Sequence, residues 1–183
     1  MRILKILSLG LQLAATAALA RDEAGIALPD QVRVEGRSLS LVGSGTGSKL
    51  LFKDYVAALY TERRETTAQG FIESNQTKSI QLVMLRDVDK DRILQAIREG
   101  FVRNSKAEVS ALKSRLEALA GAWPDLKAGA HLVFTFTPGK GTVLSGAAKP
   151  TVIDGKDFAD ALFSVWLGRN PVNERLKQEL LGH

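Results

Sequence analysis

Two hydrophobic periods alternate along this chain, and their order leaves few architectures open. Gln31–Val34 and Ser38–Val42 alternate apolar and polar residues on either side of Glu35-Gly36-Arg37, the pattern of a strand hairpin. Leu50–Tyr60 and Ser79–Met84 read as further strands. In the first of these, period two puts Leu51, Lys53, Tyr55 and Ala57 on one face and Phe52, Asp54 and Val56 on the other. The middle of the chain then changes period. Asp87 and Asp89 are candidate N-caps for a helix running to about Asn104, with Ile93, Ile97 and Phe101 on one face. Val109, Leu112, Leu116 and Leu119 mark a second helix, which Gly121 can end. Strands return at His131–Thr137 and Gly141–Leu144 around Pro138-Gly139-Lys140, with Thr151–Ile153 as a possible extension of the sheet. Asp157–Leu167 and Val172–Leu181 read as two last helices. Strands, helices, then strands and helices again indicate an α+β fold, an antiparallel sheet covered by helices.

The chain of 183 residues contains no cysteine, so no disulfide or thiolate metal site helps to hold it together. Its opening predicts export. Arg2 and Lys5 precede the apolar run Ile6–Ala17, and Ala18-Leu19-Ala20 offers a small-x-small cleavage site. That run is shorter than the ~20 residues a membrane span needs. Residues 1–20 are therefore expected to be a signal peptide cleaved after Ala20, and residues 21–183 a single periplasmic domain. Cleavage removes two basic residues and no acidic one, leaving 23 basic against 20 acidic side chains. No basic run is interleaved with aromatics, which argues against nucleic-acid binding. No later segment is long enough to be an integral membrane span, and a monomer is expected.

Several motifs invite chemistry and do not carry it. Gly43-Ser44-Gly45-Thr46-Gly47-Ser48-Lys49 lacks the spacing of a phosphate loop, and a strand rather than a helix follows. It reads as a glycine-rich turn between strands. His131 and His183 are the only histidines, with no cluster at ligand spacing, so neither a metal nor a cofactor is expected. Without a second base or a Gly-x-Ser-x-Gly elbow, triad hydrolysis is disfavoured too. The charged stretch from Arg86 to Arg92 alternates in sign and reads as a solvated, capping face. Tyr55 is more informative. It shares the parity of Leu51 and Ala57, so its hydroxyl either bonds to backbone in the core or orients a ligand's polar head in an apolar cleft. Trp166 and Phe163 read as core residues.

A family resemblance joins these pieces. It is carried by Leu28-Pro29-Asp30, by the run from Lys49 through Phe52-Lys53-Asp54-Tyr55 to Tyr60, by Ile97-Arg98-Glu99-Gly100-Phe101, and by Thr137-Pro138-Gly139-Lys140-Gly141. Most specific is Gly155–Gly168, with Asp157-Phe158-Ala159-Asp160-Ala161 and Phe163-Ser164-Val165-Trp166-Leu167. Over Leu28 to Leu181 the chain resembles the bacterial branch of the chalcone isomerase-like family. The resemblance implies an open-faced β-sandwich with a ligand cleft between sheet and helices. Enzymes of this family cyclise chalcones; relatives without that activity bind fatty acids.

Matched position by position, the enzymes' catalytic Arg falls near Gly47 and their strand Thr at about Tyr55. Their helix Tyr and Asn fall near Arg92 and Glu99, and their late-helix Ser or Thr at Ser164 or Val165. A lost oxyanion donor of that kind is worth about 3–4 kcal/mol. The resemblance therefore implies a binding protein rather than an enzyme, with no catalytic residue assigned. Its partner would be a small apolar or amphipathic, fatty-acid-like molecule held by Tyr55, Lys49, Arg92 and Ser164, with a mono-anionic head near Tyr55. The alternatives are an isomerase or intramolecular lyase with a donor set rearranged around Tyr55 and Arg92, and an interaction module without a ligand.

Overall fold

The structure, a computed structural model, describes residues 20–49, 52–104, 109–123, 125–146 and 151–183. The segment expected to be a signal peptide, residues 1–20, thus lies almost wholly outside the described residues, as do Leu50 and Leu51. Seven strands form an antiparallel sheet in which each lies beside its neighbour in sequence: β3 (Gln31–Val34), β4 (Arg37–Lys49), β5 (Phe52–Thr61), β6 (Lys78–Met84), β7 (His131–Thr137), β8 (Gly141–Ser145) and β9 (Thr151–Ile153). A separate ribbon, β1 (Ala20–Glu23) and β2 (Ile26–Pro29), completes the strands. The hairpin expected around Glu35-Gly36 is present: both residues have positive φ, 49° and 81°, the backbone of a two-residue turn matched to strand twist.

Period-two alternation sorts the sheet into two faces. Tyr55, Ala57, Leu59, Ile80, Leu82, Met84, Leu132, Phe134 and Phe136 belong to the main core under the helices. On the opposite face Val56, Ala58 and Tyr60 meet Leu28 of the β1–β2 ribbon, where the Tyr60 hydroxyl donates to the Pro29 carbonyl at 3.0 Å. Helix α4 (Lys156–Leu167) is buried over nearly its whole length, because Phe158 to Leu167 is almost continuously apolar. Helix α2 (Lys90–Asn104) crosses it at Gly100, whose missing side chain leaves room for the Val165 methyls. Phe101 and Phe158 pack with ring centroids 5.6 Å apart. Helix α3 (Val109–Gly121) ends at the expected glycine, and α5 (Glu174–Leu180) is capped by Asn173, which accepts from Leu176 N at 2.9 Å.

The structure corrects one expectation and adds an element. Gly43–Lys49 is no turn but the second half of β4, paired with β5 from Gly43↔Leu59 to Lys49↔Phe52. Its glycines answer to packing. A Cβ on Gly43 would stand 2.2 Å from the Glu179 carbonyl oxygen, and one on Gly45 would strike the Glu179 side chain, so the bare stripe is the seat of α5. Short α1 (Ala68–Glu73), capped by Thr67, was not expected from the sequence.

Candidate functional site

Strand parity and one more glycine build the site. Gly47 pairs with Tyr55 across β4 and β5, and the Tyr55 ring lies over it so closely that a Cβ there would be 2.1 Å from Cζ. The ring therefore occupies the space that a side chain at position 47 would need. From α4, Trp166 Nε1 donates to the Tyr55 hydroxyl at 3.3 Å. Behind Trp166 the rings of Phe134 and Trp123 follow at 5.9 and 5.4 Å, fixing the indole from its far side. Among the described residues no acceptor meets the Tyr55 proton. Burial pushes this phenol up to about 12; the Trp166 hydrogen bond opposes that, and the charge of Asp54 adds to it. Tyr55 is thus a neutral donor whose oxygen is already engaged.

Beside the hydroxyl is a cleft of about 230 Å³ between β5, α2 and α4. Leu82, Ile93, Ile97, Val165 and Trp166 give it apolar walls; Arg92, Glu99, Arg103 and Asn173 lie at its polar margin. Arg103 is paired with Glu99 at 3.4 Å. Arg92 is exposed and, among the described residues, has no ion pair. Asp54 also borders the cleft; it is buried and accepts from Arg86 Nε at 2.8 Å.

The structure brings Tyr55 and Arg92 to one cleft. Ser164 lies on α4 outside it, its hydroxyl donating to the Ala161 carbonyl at 2.6 Å. Lys49 ends β4, and its side chain lies outside the described residues. Of the α2 stripe, Ile93 and Ile97 line the cleft while Phe101 is core; Phe158 and Leu162 are core as well. Trp166, read as core, is both buried and part of the wall, and the sequence carries no sign of its bond to Tyr55. The Asp87–Asp91 stretch is capping and ion pairing: Asp89 accepts from Asp91 N, and Asp87 takes Lys127 Nζ and Ala128 N at 3.0 Å each. No group of three or more potential ligating side chains among the described residues is placed to hold a metal.

A sequence model of chalcone isomerase-like proteins matches residues 20–182. The chain belongs to the chalcone isomerase-like family. The chalcone isomerase-like fold, a large antiparallel sheet covered by helices, is also that of a solved fatty-acid binding protein of Arabidopsis thaliana. The two share 12% identity at a TM-score of 0.65, covering 86% of this chain and 92% of that one. No curated protein matches this chalcone isomerase-like chain by sequence.

Sequence reasoning missed a second buried polar group on the same face. Lys78 is 0% exposed, and its amine donates to the carbonyls of Phe71 at 2.9 Å, Ser74 at 3.1 Å and Ile72. It caps the end of α1, with Asp160 3.8 Å away and the Phe136 and Phe163 rings beside it. Burial lowers its pKa to about 8, against the raising effect of Asp160. Parity was the available signal, since Lys78 stands two residues before inward-facing Ile80.

Proposed function

We propose that this protein is a non-catalytic binding protein for a small apolar or amphipathic, fatty-acid-like molecule, acting in the periplasm after its leader is removed. The observation that carries this reading is the apolar cleft with one neutral hydroxyl at Tyr55, its proton meeting no acceptor among the described residues, and a cation, Arg92, at its margin. Apolar walls with a few convergent polar groups are the general form of a small-molecule site. The solved neighbour, a fatty-acid binding protein, supports the same class of ligand. Burying an alkyl tail contributes about 0.8 kcal/mol per CH₂, so even a medium chain binds without a strong polar clamp.

Against the isomerase alternative stands Gly47, where the resemblance puts the enzymes' Arg and where the Tyr55 ring fills the space instead. Thermal-shift and calorimetric titration with a graded series of fatty acids tests the binding reading. Saturable binding that raises the melting temperature is expected, and no response across the series refutes it. Cyclisation of a chalcone well above its spontaneous rate, lost in Tyr55→Phe, would favour the enzyme instead. Sequencing the N-terminus of protein made in its own host tests export: a start near Arg21 is expected, and an intact Met1 contradicts it.

A further inference from the structure

The cleft has two polar ends of different character. At its margin Arg92 is exposed and, among the described residues, unpaired, while neighbouring Arg103 is tied to Glu99. At its floor Tyr55 and Trp166 are 9% and 2% exposed. A carboxylate brought to that floor would be stripped of water beside the buried carboxylate of Asp54, to which Arg86 is already committed. Among the described residues no cationic side chain hydrogen-bonds to Tyr55, whose partner is the Trp166 indole. Burying an unpaired charge costs far more than burying a neutral oxygen that finds a hydrogen bond.

The floor does suit a neutral acceptor. Trp166 fills the acceptor side of the phenol and leaves its proton to donate, and a donor already accepting a hydrogen bond is the stronger for it. A plain fatty acid satisfies only one end: head inward, it leaves Arg92; head outward, it sets a methyl group against the Tyr55 proton.

We propose that the ligand is an oxygenated acid, an oxo- or hydroxy-substituted carboxylate, whose negative group stays at the margin by Arg92 while its uncharged oxygen accepts from Tyr55 at the floor. This rests on the binding reading above. It reverses the head-inward arrangement expected from the sequence, and Leu82, Ile93, Ile97 and Val165 give the cleft the apolar wall that an alkyl chain needs. The volume of about 230 Å³ lies below the range of about 300–1,000 Å³ usual for drug-sized ligands, which favours a short chain.

Calorimetric titration of the protein, in the form its host accumulates, with octanoate, 7-oxooctanoate and 2-octanone separates the outcomes. The oxo acid is expected to bind about 3–10-fold more tightly than octanoate, the worth of one neutral hydrogen bond. In Tyr55→Phe the oxo acid loses most of that advantage over octanoate, because the phenol proton that its oxygen accepts is gone while octanoate is unaffected. In Arg92→Gln both acids weaken and the neutral ketone does not. Octanoate binding as tightly as the oxo acid to the unmodified protein overturns the inference and leaves the binding reading standing. So does an equal loss for both acids in Tyr55→Phe, which would put the carboxylate at the floor. If none of the three probes binds, the binding reading itself fails, and this inference with it.

Discussion

Lys78 and Tyr55 are both buried polar groups on the helix-covered face of one sheet, and they are treated in opposite ways. The lysine amine has three donors and three carbonyl acceptors, with rings of Phe136 and Phe163 closing over it. The tyrosine hydroxyl accepts one hydrogen bond, its proton has no acceptor among the described residues, and an open cleft lies beside it. Full satisfaction is what a buried group needs when its task is to hold the fold together. A neutral donor left open in an apolar hollow is what recognition needs. On the binding function proposed above, the contrast separates a structural from a recognition group within a single core, without any appeal to the motifs themselves.

The largest effect is expected where satisfaction is complete. Lys78→Met takes a donor from three carbonyls at the end of α1, of which, among the described residues, only that of Phe71 keeps another, the Ser74 hydroxyl. It also leaves Asp160 with Lys156 alone among those residues, so chemical denaturation near neutral pH should register a loss of about 4 kcal/mol. The same pair of proteins gives a pH signature. With a folded pKa near 8 against 10.5 unfolded, the native state releases its proton first. Stability from this group therefore rises with pH between those two values, by about 3 kcal/mol, and is lost again as pH falls back to 8. Taking the difference between wild type and Lys78→Met cancels the tyrosines, which titrate higher. A flat difference over that window would mean that Lys78 is not buried as described.

Glycine replacements come next and probe the seats of α5 and of the Tyr55 ring. Gly43→Ala drives a methyl into backbone carbonyls of α5, which cannot yield as a side chain would, for a loss of about 3 kcal/mol. Gly47→Ala meets first the Tyr55 side chain, which can shift where a backbone cannot. Its stability loss should be smaller, about 2 kcal/mol, and it should weaken ligand binding, which Gly43→Ala leaves intact in whatever fraction remains folded. Equal stability losses and unchanged binding in both would erase the distinction between the two seats.

These glycines also mark the limit of what the sequence disclosed. The α+β class, the Glu35-Gly36 hairpin, the strand parity of Tyr55 and the extents of α2, α3 and α4 were legible from period and turn chemistry, which act over a few residues. The stripe Gly43/Gly45/Gly47 looked like a turn because its cause, the close approach of Glu179 and Tyr55, lies elsewhere in the chain. Lys78 was passed over because charge at a strand's start normally means exposure, and its partners come from a short helix that local pattern did not reveal. Tyr55 and Arg92 could be nominated singly. That they share a cleft, while Ser164 turns back to its own helix, depends on how α2 and α4 pack, which no single-sequence pattern encodes.

The smallest stability change is expected for Tyr55→Phe, about 1 kcal/mol, since only the long hydrogen bond from Trp166 is lost with the hydroxyl. A loss comparable to that of Lys78→Met would place Tyr55 among the structural groups and collapse the contrast.

Native mass spectrometry of gently purified protein, followed by extraction of the bound material, tests most directly that the Tyr55 cleft is a ligand site. The expected result is a discrete added mass of one small organic acid, present in wild type and reduced in Gly47→Ala. A protein that is consistently empty, and remains so after incubation with fatty acids and their oxo derivatives, would contradict the account and leave an interaction module with an unfilled cleft.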